Sequence, residues 1–276
     1  MTTPKKSYGI KEQNDNISEI DKNIEDVCIN GFTVLNECFE ISEIKEISKC
    51  FDDTKEQFYK IFSYSYLQSL NEQNGIRAPF LIDKSGIFIK LATNDELLQL
   101  VSKLINGSFY LNQQNGIINP AGKKYNQGVW HRDLPYQHFT SSSPLGINAL
   151  YCIDDFTLEN GSTFVLPSTH KVTKFPSEIF IKENAKQITA KAGSYIVLDC
   201  MIFHSGGMNN SLNDRRAVNN VFTMPHIKKQ IDYYFDEIPS NVPEKIKGIF
   251  DNNSNTSHNI TEYFEVRQKK HFKKKI

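Results

Sequence analysis

Apolar residues follow two different periods along this chain, and the change falls near residue 108. Before it, they recur at the three- and four-residue spacing of an amphipathic helix. This spacing predicts one helix across Ile17 to Val27, with Ser18 as a start signal, and a second from Ser42 to about Phe62. Asn94 is placed to cap a third helix that ends at Ile105.

Short apolar runs bounded by Gly and Asn-Gly turns predict strands. Two lie in the first part of the chain, at 31–35 and 86–91. After Ser108 we predict strands at 108–114, 124–132, 147–154, 162–166, 186–191, 194–199 and 215–224. Many short strands with few helices between them favour an antiparallel barrel or two-sheet jelly roll, with the N-terminal helices packed outside. The fold class expected is therefore mainly β with flanking α-helices.

The remaining segments show weaker patterns. Residues 63–85 carry turn and breaker signals and are a candidate lid or substrate entrance, whereas 242–250 is a possible helix. Residues 1–16 and the Asn/Ser-rich stretch 251–259 are expected to be loose. The chain shows no internal repeat, so we expect one domain over 1–276 with a basic tail at 264–276.

Composition limits the function classes. Thirty-two basic and 32 acidic residues give a formal charge of zero, which offers no general argument for a nucleic-acid partner. Six Lys or Arg among residues 267–276 predict a solvated tail, with attraction to nucleic acid or a membrane surface as the alternative. No apolar stretch approaches the length of a membrane span, and no signal peptide is apparent. Five cysteines without C-x-x-C spacing indicate reduced thiols and a cytoplasmic protein.

The candidate chemistry centres on His131 and Asp133, which are two residues apart in a predicted strand and so share a face. An H-x-D pair alone is weak evidence. His204, which follows the predicted strand 194–199 and precedes small residues, is placed to supply a third ligand. Two His and one carboxylate on one face of a metal are typical of non-haem Fe(II) oxygenases.

Arg215 opens the next predicted strand, 11 residues after His204. An arginine that enters a barrel interior must find an anion, because an unpaired buried charge is very costly. Its planar fork suits a carboxylate. Arg216 is the rival anchor, but strand alternation directs it to the opposite face.

With these residues in view, the chain resembles the phytanoyl-CoA dioxygenase family of Fe(II)/2-oxoglutarate oxygenases. Residues 130–134 resemble the family's W-H-x-D-L, and 154–171 its acidic segment, N-G turn and x-V-x-P-G-S-H-K signature. Residues 192–194 resemble its x-P-G-D turn, and 204–217 its H-x-x-x-x-N…R-x-A run. Residues 31–34 resemble its opening G-[YF]-x-V. The departures, Ser168 for a usual Gly and Ala192 for a usual Pro, affect turn shape.

The resemblance implies a double-stranded β-helix, a cupin-like jelly roll. It implies that His131, Asp133 and His204 bind Fe(II) and that Arg215 binds 2-oxoglutarate, which is consumed with O2 to release succinate and CO2. The expected reaction is hydroxylation, oxidative cyclisation or desaturation of a small metabolite. Halogenation is disfavoured because Asp133 occupies the position a halide needs. The alternatives are a non-catalytic cupin-like binding or sensory protein and a Zn(II) hydrolase with the same ligands.

Further site candidates rest on weaker signals. Thr163, Gln127 and Tyr125 are candidate co-substrate contacts, although each could equally pack in the barrel. Candidate substrate contacts are Lys90, Tyr136, His138, Asn148 and Tyr151, whose polar character favours a small polar metabolite over a long acyl chain. We interpret His170 as structural. The expected partner is a small-molecule substrate, with the protein a monomer or weak homo-oligomer.

Overall fold

The structure is a computed structural model that describes residues 8–10, 18–231, 244–250, 257 and 259–273. Most of the loose segments predicted at 1–16 and 251–259 therefore lie outside the described residues. Among the described residues, no helix has the length and apolar character needed to cross a membrane.

In the described part of the chain, nine strands form two antiparallel sheets. In chain order they are β1 (Phe32–Leu35), β2 (Gly75–Arg77), β3 (Tyr110–Asn119), β4 (Gly146–Cys152), β5 (Phe164–Val165), β6 (Lys186–Gln187), β7 (Tyr195–Asp199), β8 (His204–Ser205) and β9 (Arg215–Thr223). The large sheet has the order β1-β7-β4-β9-β3-β2, and the small sheet the order β6-β5-β8. A mainly β, two-sheet architecture is thus confirmed.

Helices precede and follow the sheets. They are α1 (Glu19–Asn30), α2 (Ile41–Ile61), α3 (Tyr64–Ser69), α4 (Pro79–Ile82), α5 (Ile87–Ala92), α6 (Asp95–Ile105), α7 (Glu178–Asn184), α8 (Glu244–Phe250) and α9 (Ile260–Lys273). The side chain of Ser18 caps α1 and that of Asn94 caps α6 by accepting from the backbone N–H of Leu97. The three helices predicted from apolar spacing are confirmed, with small shifts at their ends.

The central strands are buried on both faces, and each face packs into a different cluster. Tyr151 and Val197 lie in the cluster formed with the N-terminal helices. Their neighbours Leu150 and Leu198 lie in the cluster formed with the small sheet. Since successive residues of a strand face opposite sides, the odd-numbered residues of β9, which include Ala217, point into the space between the sheets.

The predicted strand at 86–91 is wrong, because residues 87–92 form α5. A short apolar run fits either period. Asp83 favours the helix, because its carboxylate accepts hydrogen bonds from the backbone N–H groups of Gly86 and Ile87 at the start of α5.

The predicted strand at 124–132 is also wrong, since His131 makes only an isolated bridge to His204. The 186–191 strand is reduced to β6 and a bridge at Ala190. The basic segment predicted as a tail begins inside α9, and residues 274–276 lie outside the described part of the chain. Whether the whole chain forms one domain stays a prediction.

Candidate metal centre

The loop that carries His131 and Asp133 is fixed to the strand that carries His204. The His131 N–H donates to the carbonyl of His204 at 3.0 Å, and the His204 N–H donates back at 3.1 Å. The Asp133 N–H donates to the carbonyl of Cys200 at 3.0 Å. These backbone bonds bring the three side chains together without a regular strand at 131–133.

The three side chains form a compact donor set. One potential ligand atom from each of His131, Asp133 and His204 lies within 4.8 Å of the others. Nε2 of His204 is 3.5 Å from Oδ1 of Asp133, and the two imidazole ring centroids are 4.3 Å apart. Nitrogen and oxygen donors at such separations can share a single metal ion.

Backbone carbonyls select the tautomer of both imidazoles. Nδ1 of His131 lies 2.8 Å from the carbonyl of Val129, and Nδ1 of His204 lies 3.1 Å from that of Ile202. A carbonyl only accepts, so each Nδ1 carries the proton and donates it. Each Nε2 therefore keeps its lone pair for a metal.

The electrostatics of the site favour an ionised carboxylate. Burial would raise the pKa of Asp133, but the two imidazoles, chiefly His204, together with the Asn148 amide hold it below its usual value. Burial lowers the pKa of His131 and so favours its neutral form. Burial also opposes the charged form of His204, but the Asp133 carboxylate reverses that effect and raises its pKa. A metal cation at this point would take over the role of the imidazolium proton.

Asn148 of β4 orients the carboxylate. Its amide Nδ2 donates to Oδ2 of Asp133 at 2.8 Å, and the residue is 3% exposed. The bond occupies Oδ2 and leaves Oδ1, which faces His204, for a metal. Asn148 is also a predicted substrate contact; it lines the cavity that contains the three ligands, and its amide already bonds the carboxylate there.

Arg132, between the two ligands, anchors their loop. Its guanidinium donates to the carbonyl of Thr169 at 2.8 Å and to those of Gln137 and Val172. The guanidinium also stacks on Phe203, with its Cζ 3.9 Å from the centroid of that ring. The residue is 2% exposed, which its sequence position did not suggest.

A cavity leads from the triad to Arg215, and all four of these side chains line it. Nε and Nη1 of Arg215 are buried and have no hydrogen-bond partner among the described residues. The guanidinium lies over the Phe156 ring at 4.0 Å, and burial lowers its pKa. A buried cation with free donors calls for an anion.

Arg216 points the other way. Its guanidinium pairs with Asp154 and with Asp52, at 2.7 Å in each case. Burial opposes its charge, but these carboxylates raise its pKa. Alternation along β9 thus places Arg215 between the sheets, where its Nε and Nη1 have no partner among the described residues, and Arg216 on the outer face, where it is paired.

The predicted co-substrate contacts Thr163, Gln127 and Tyr125 all line the same cavity. Burial raises the pKa of Tyr125 to about 12, so its phenol is neutral. A Cβ at Gly206 would come within 2.6 Å of the Tyr125 ring. Glycine at 206 therefore lets the ring lie against the backbone beside the cavity.

The other predicted substrate contacts are not brought to the cavity. Lys90 is exposed on α5 and pairs with Glu43. Tyr136 is 70% exposed, and His138 is also on the surface. Tyr151 is buried on the helix side of the sheet, and its ring centroid is 5.3 Å from that of Phe39.

A second cavity, with a volume of about 210 Å³, adjoins the first at His131 and Asp133. Glu72 and Arg77 from the segment 63–85, and Asn115 and Asn219 from β3 and β9, line it. Except for the interpretation of 63–85 as a substrate entrance, sequence reasoning missed this wall. The available signal was the unusual run of Asn and Gln residues in 112–119.

Comparisons with known proteins identify the fold and the family of the chain. An uncharacterised protein of Mycobacterium tuberculosis is 29% identical over 187 residues, which cover 65% of this chain and 68% of that protein. The crystal structure of EctD from S. alaskensis with 2-oxoglutarate and 5-hydroxyectoine superposes with a TM-score of 0.64 at 18% identity, over 79% of this chain and 81% of that one.

The epimerase SnoN from nogalamycin biosynthesis, in complex with Fe3+, alpha ketoglutarate and nogalamycin RO, gives a TM-score of 0.55 at 14% identity. The match covers 74% of this chain and 83% of that one. These likenesses confirm the cupin-like jelly-roll fold. The phytanoyl-CoA dioxygenase (PhyH) family model matches residues 27–217. The chain belongs to the phytanoyl-CoA dioxygenase family and is an oxidoreductase of the 2-oxoglutarate-dependent dioxygenase class.

Proposed function

We propose that the chain is an Fe(II)/2-oxoglutarate-dependent dioxygenase that oxidises an unactivated C–H bond of a small polar metabolite. The observation that carries the proposal is the cavity with a His-Asp-His donor set at one end and the buried guanidinium of Arg215 at the other. A dicarboxylate with a metal-chelating end satisfies both ends at once.

The donor set fits ferrous iron. Two neutral imidazoles and one carboxylate on a single side leave positions opposite for small ligands. Asn148 and the carbonyls of Val129 and Ile202 hold the three side chains in place. Such supporting hydrogen bonds orient metal ligands and are characteristic of a site that binds its metal.

Arg215 fits the distal carboxylate of 2-oxoglutarate. Its planar fork offers two parallel N–H donors, and stacking on Phe156 fixes the plane of the fork. Thr163 and Gln127 line the wall between the fork and the metal ligands and supply polar contacts along the molecule. Tyr125, neutral at physiological pH, adds one further hydroxyl.

When bound together, iron, 2-oxoglutarate and O2 supply the oxidising power, and the co-substrate leaves as succinate and CO2. The chain's own residues position these groups and shield them, since the ligand side chains of Asp133 and His204 are each 8% exposed. Asp133 keeps a carboxylate at the position a halide would need. Hydroxylation, desaturation and oxidative cyclisation are all consistent with this arrangement.

The test uses the full chain reconstituted with Fe(II) under anaerobic conditions. Addition of 2-oxoglutarate and air is expected to release succinate, slowly alone and faster with a substrate. The Zn(II)-loaded protein is the control and should release none, because Zn(II) has no redox chemistry. Absence of succinate, together with no calorimetric binding of 2-oxoglutarate, would instead favour a binding protein. Hydrolysis by the Zn(II) form would favour a hydrolase.

A further inference from the structure

The second cavity is built on a polar row that crosses the large sheet. Arg77 of β2 pairs in register with Asn115 of β3, and Asn115 pairs with Asn219 of β9. Paired residues of neighbouring strands project on the same face. Asn219 also lines the cavity that contains the metal ligands and Arg215. The row therefore ends beside the metal centre, and we call this space the amide cavity.

Carboxamides dominate the wall of the amide cavity. Seven of its side chains are Asn or Gln, among them Asn74, Gln113, Asn115 and Asn219. Oδ1 of Asn219 is buried and has no hydrogen-bond partner in the described part of the chain. A carboxamide presents both a donor and an acceptor without charge. A hydroxyl group does the same, so a wall of amides is complementary to a molecule with several hydroxyls.

The charged side chains of the wall contributed by Arg77, Glu72 and Arg132 already make contacts within the protein. Arg77 and Glu72 form a two-pronged pair, with Nη2 2.7 Å from Oε2 and Nε 3.1 Å from the same oxygen. Arg132 donates from both Nη groups to backbone carbonyls, its Nε is buried without a hydrogen-bond partner among the described residues, and the residue is only 2% exposed. Within the residues that the structure describes, no lysine lines this cavity. A phosphate or carboxylate on the substrate would therefore meet one arginine that is paired with Glu72 and one that is almost fully buried.

The wall offers little to an acyl chain. Among the described residues that line it, the aliphatic side chain is Ile117, which pairs in register with Gly75 and follows Gly116 in the chain. A long hydrocarbon would remove the amides from water without giving them partners, and buried polar groups without partners are strongly unfavourable. The cavity volume of about 210 Å³ is below the roughly 300–1,000 Å³ of drug-sized ligand sites, which favours a small molecule over a large one.

We infer, resting on the proposed function, that the amide cavity binds a neutral, hydroxyl-rich ring compound of the sugar or cyclitol class as the molecule to be oxidised. Asn115 and Asn219 form hydrogen bonds with its hydroxyls, and the Arg77–Glu72 pair lies at the end of the row that is distant from the metal centre. Because the cavity opens on His131 and Asp133, a ring bound against Asn219 presents a C–H bond toward the metal centre.

The test measures binding separately from turnover. The full chain is loaded with diamagnetic Zn(II) and 2-oxoglutarate, and saturation-transfer NMR is recorded with methyl α-D-glucopyranoside and with myo-inositol. Glucuronate and glucose 6-phosphate are matched probes that add charge, tetrahydropyran-2-methanol removes most hydroxyls, and hexanoyl-CoA represents the acyl class. At least one neutral probe should bind about tenfold more tightly than its charged and deoxygenated counterparts.

Variants locate the binding. Asn115→Leu and Asn219→Leu each remove one amide and should weaken the neutral probe about tenfold or more. Asn115→Asp, which keeps the shape and adds charge, serves if the leucine variant does not fold. Gln68→Leu on the exposed face of α3 is the matched control and should change binding less than about twofold. The Asn115 and Gln68 variants should bind 2-oxoglutarate as the wild type does. Asn219 also lines the cavity proposed for the co-substrate, so Asn219→Leu is compared for binding of the neutral probe only.

The outcomes separate the two proposals. Tighter binding of glucuronate, glucose 6-phosphate or hexanoyl-CoA, or no transfer to either neutral probe, overturns the inference while Fe(II)-dependent succinate release still supports the dioxygenase. Neutral probes that bind equally well to the Asn115 and Asn219 variants overturn it as well. Conversely, amide-dependent binding of a neutral probe without any succinate release upholds the site and rejects the proposed reaction.

Discussion

Asn148 holds the carboxylate of Asp133 through a 2.8 Å hydrogen bond from its amide to Oδ2. The bond joins the interior of β4 to the loop that carries two of the three candidate metal ligands. It fixes which oxygen of Asp133 faces His204, and it supplies the partner that a buried carboxylate needs.

Asn148→Ala should therefore weaken metal binding while leaving the donor atoms present. Loss of a supporting hydrogen bond of this kind typically costs about 10- to 100-fold in metal affinity. Competition against a chromogenic Fe(II) chelator measures the change. Asn184→Ala, at the exposed end of α7, is the control. An unchanged affinity in Asn148→Ala would show that the Asp133 carboxylate is held by other contacts.

His131→Ala and His204→Ala should each abolish Fe(II)-dependent succinate release and leave a folded protein, because both rings face a cavity. His138→Ala, on the surface, should leave both properties unchanged. His170→Ala should show the opposite pattern, with succinate release retained and the folded state destabilised. It removes a ring that is 2% exposed and bonded to the Cys28 carbonyl, and so lowers stability with turnover retained. Circular dichroism and succinate assays distinguish the three patterns.

The sequence predicted the chemistry of the site better than the local structure around it. The spacing of His131 and Asp133 suggested convergence through strand alternation, yet the two converge through backbone bonds to His204 and Cys200. The three metal-ligand candidates can be recognised from residue type and order in the sequence. The conformation of 124–132 instead depends on tertiary contacts such as those of Arg132. No local pattern reports such contacts.

The residues that line the amide cavity were likewise not predictable from local sequence patterns. The predicted contacts Lys90 and Tyr151 were chosen from their types and positions, and both lie away from the cavities. The row Arg77–Asn115–Asn219 depends on which strands pair and in which register, and β2 was not predicted at all. One departure from the family pattern did have a visible effect. Ser168 occupies a left-handed conformation with φ 63°, which glycine adopts more easily.

Asp199 links stability to pH. Burial raises its pKa from 3.8 to about 6 in the folded protein. The folded state therefore binds its proton more tightly than the unfolded state, and stability falls as pH rises through the window from about 4 to 6. Asp199→Asn should remove this dependence and raise the free energy of unfolding at pH 7 relative to wild type by about 2–3 kcal/mol at most. Urea titrations of the metal-free protein at pH 4.5 and 7 measure it.

Asp155→Asn is the control of opposite sign. A hydrogen bond from Lys191 and one from the Ala192 N–H lower the pKa of Asp155. Its ionised form is therefore stabilising above the unfolded pKa, and that contribution is lost as pH falls through the lower, folded-state value. Its replacement should reduce stability at pH 7 and not at low pH. If Asp199→Asn behaves like Asp155→Asn, the Asp199 carboxylate has a partner that favours its charge.

Arg215 and Arg216 give the sharpest test of the co-substrate site, because they are adjacent, identical in type and opposite in direction. Arg215→Ala removes the fork that we expect to bind the distal carboxylate and leaves that charge unpaired in a buried site, which typically costs about 2–5 kcal/mol. The apparent 2-oxoglutarate constant should rise about thirtyfold or more, with metal affinity nearly unchanged. Arg215→Lys should recover part of the loss, since an ammonium cannot form the fork.

Arg216→Ala breaks the pairs with Asp52 and Asp154 and should lower stability while changing the 2-oxoglutarate constant little. Calorimetric titration of 2-oxoglutarate into the Zn(II)-loaded variants measures the constant without turnover, and thermal unfolding measures stability. The two variants should therefore separate, one altering binding and the other altering stability. If Arg216→Ala gives the large change in the constant and Arg215→Ala the small one, the inward face of β9 is not the face that binds the co-substrate.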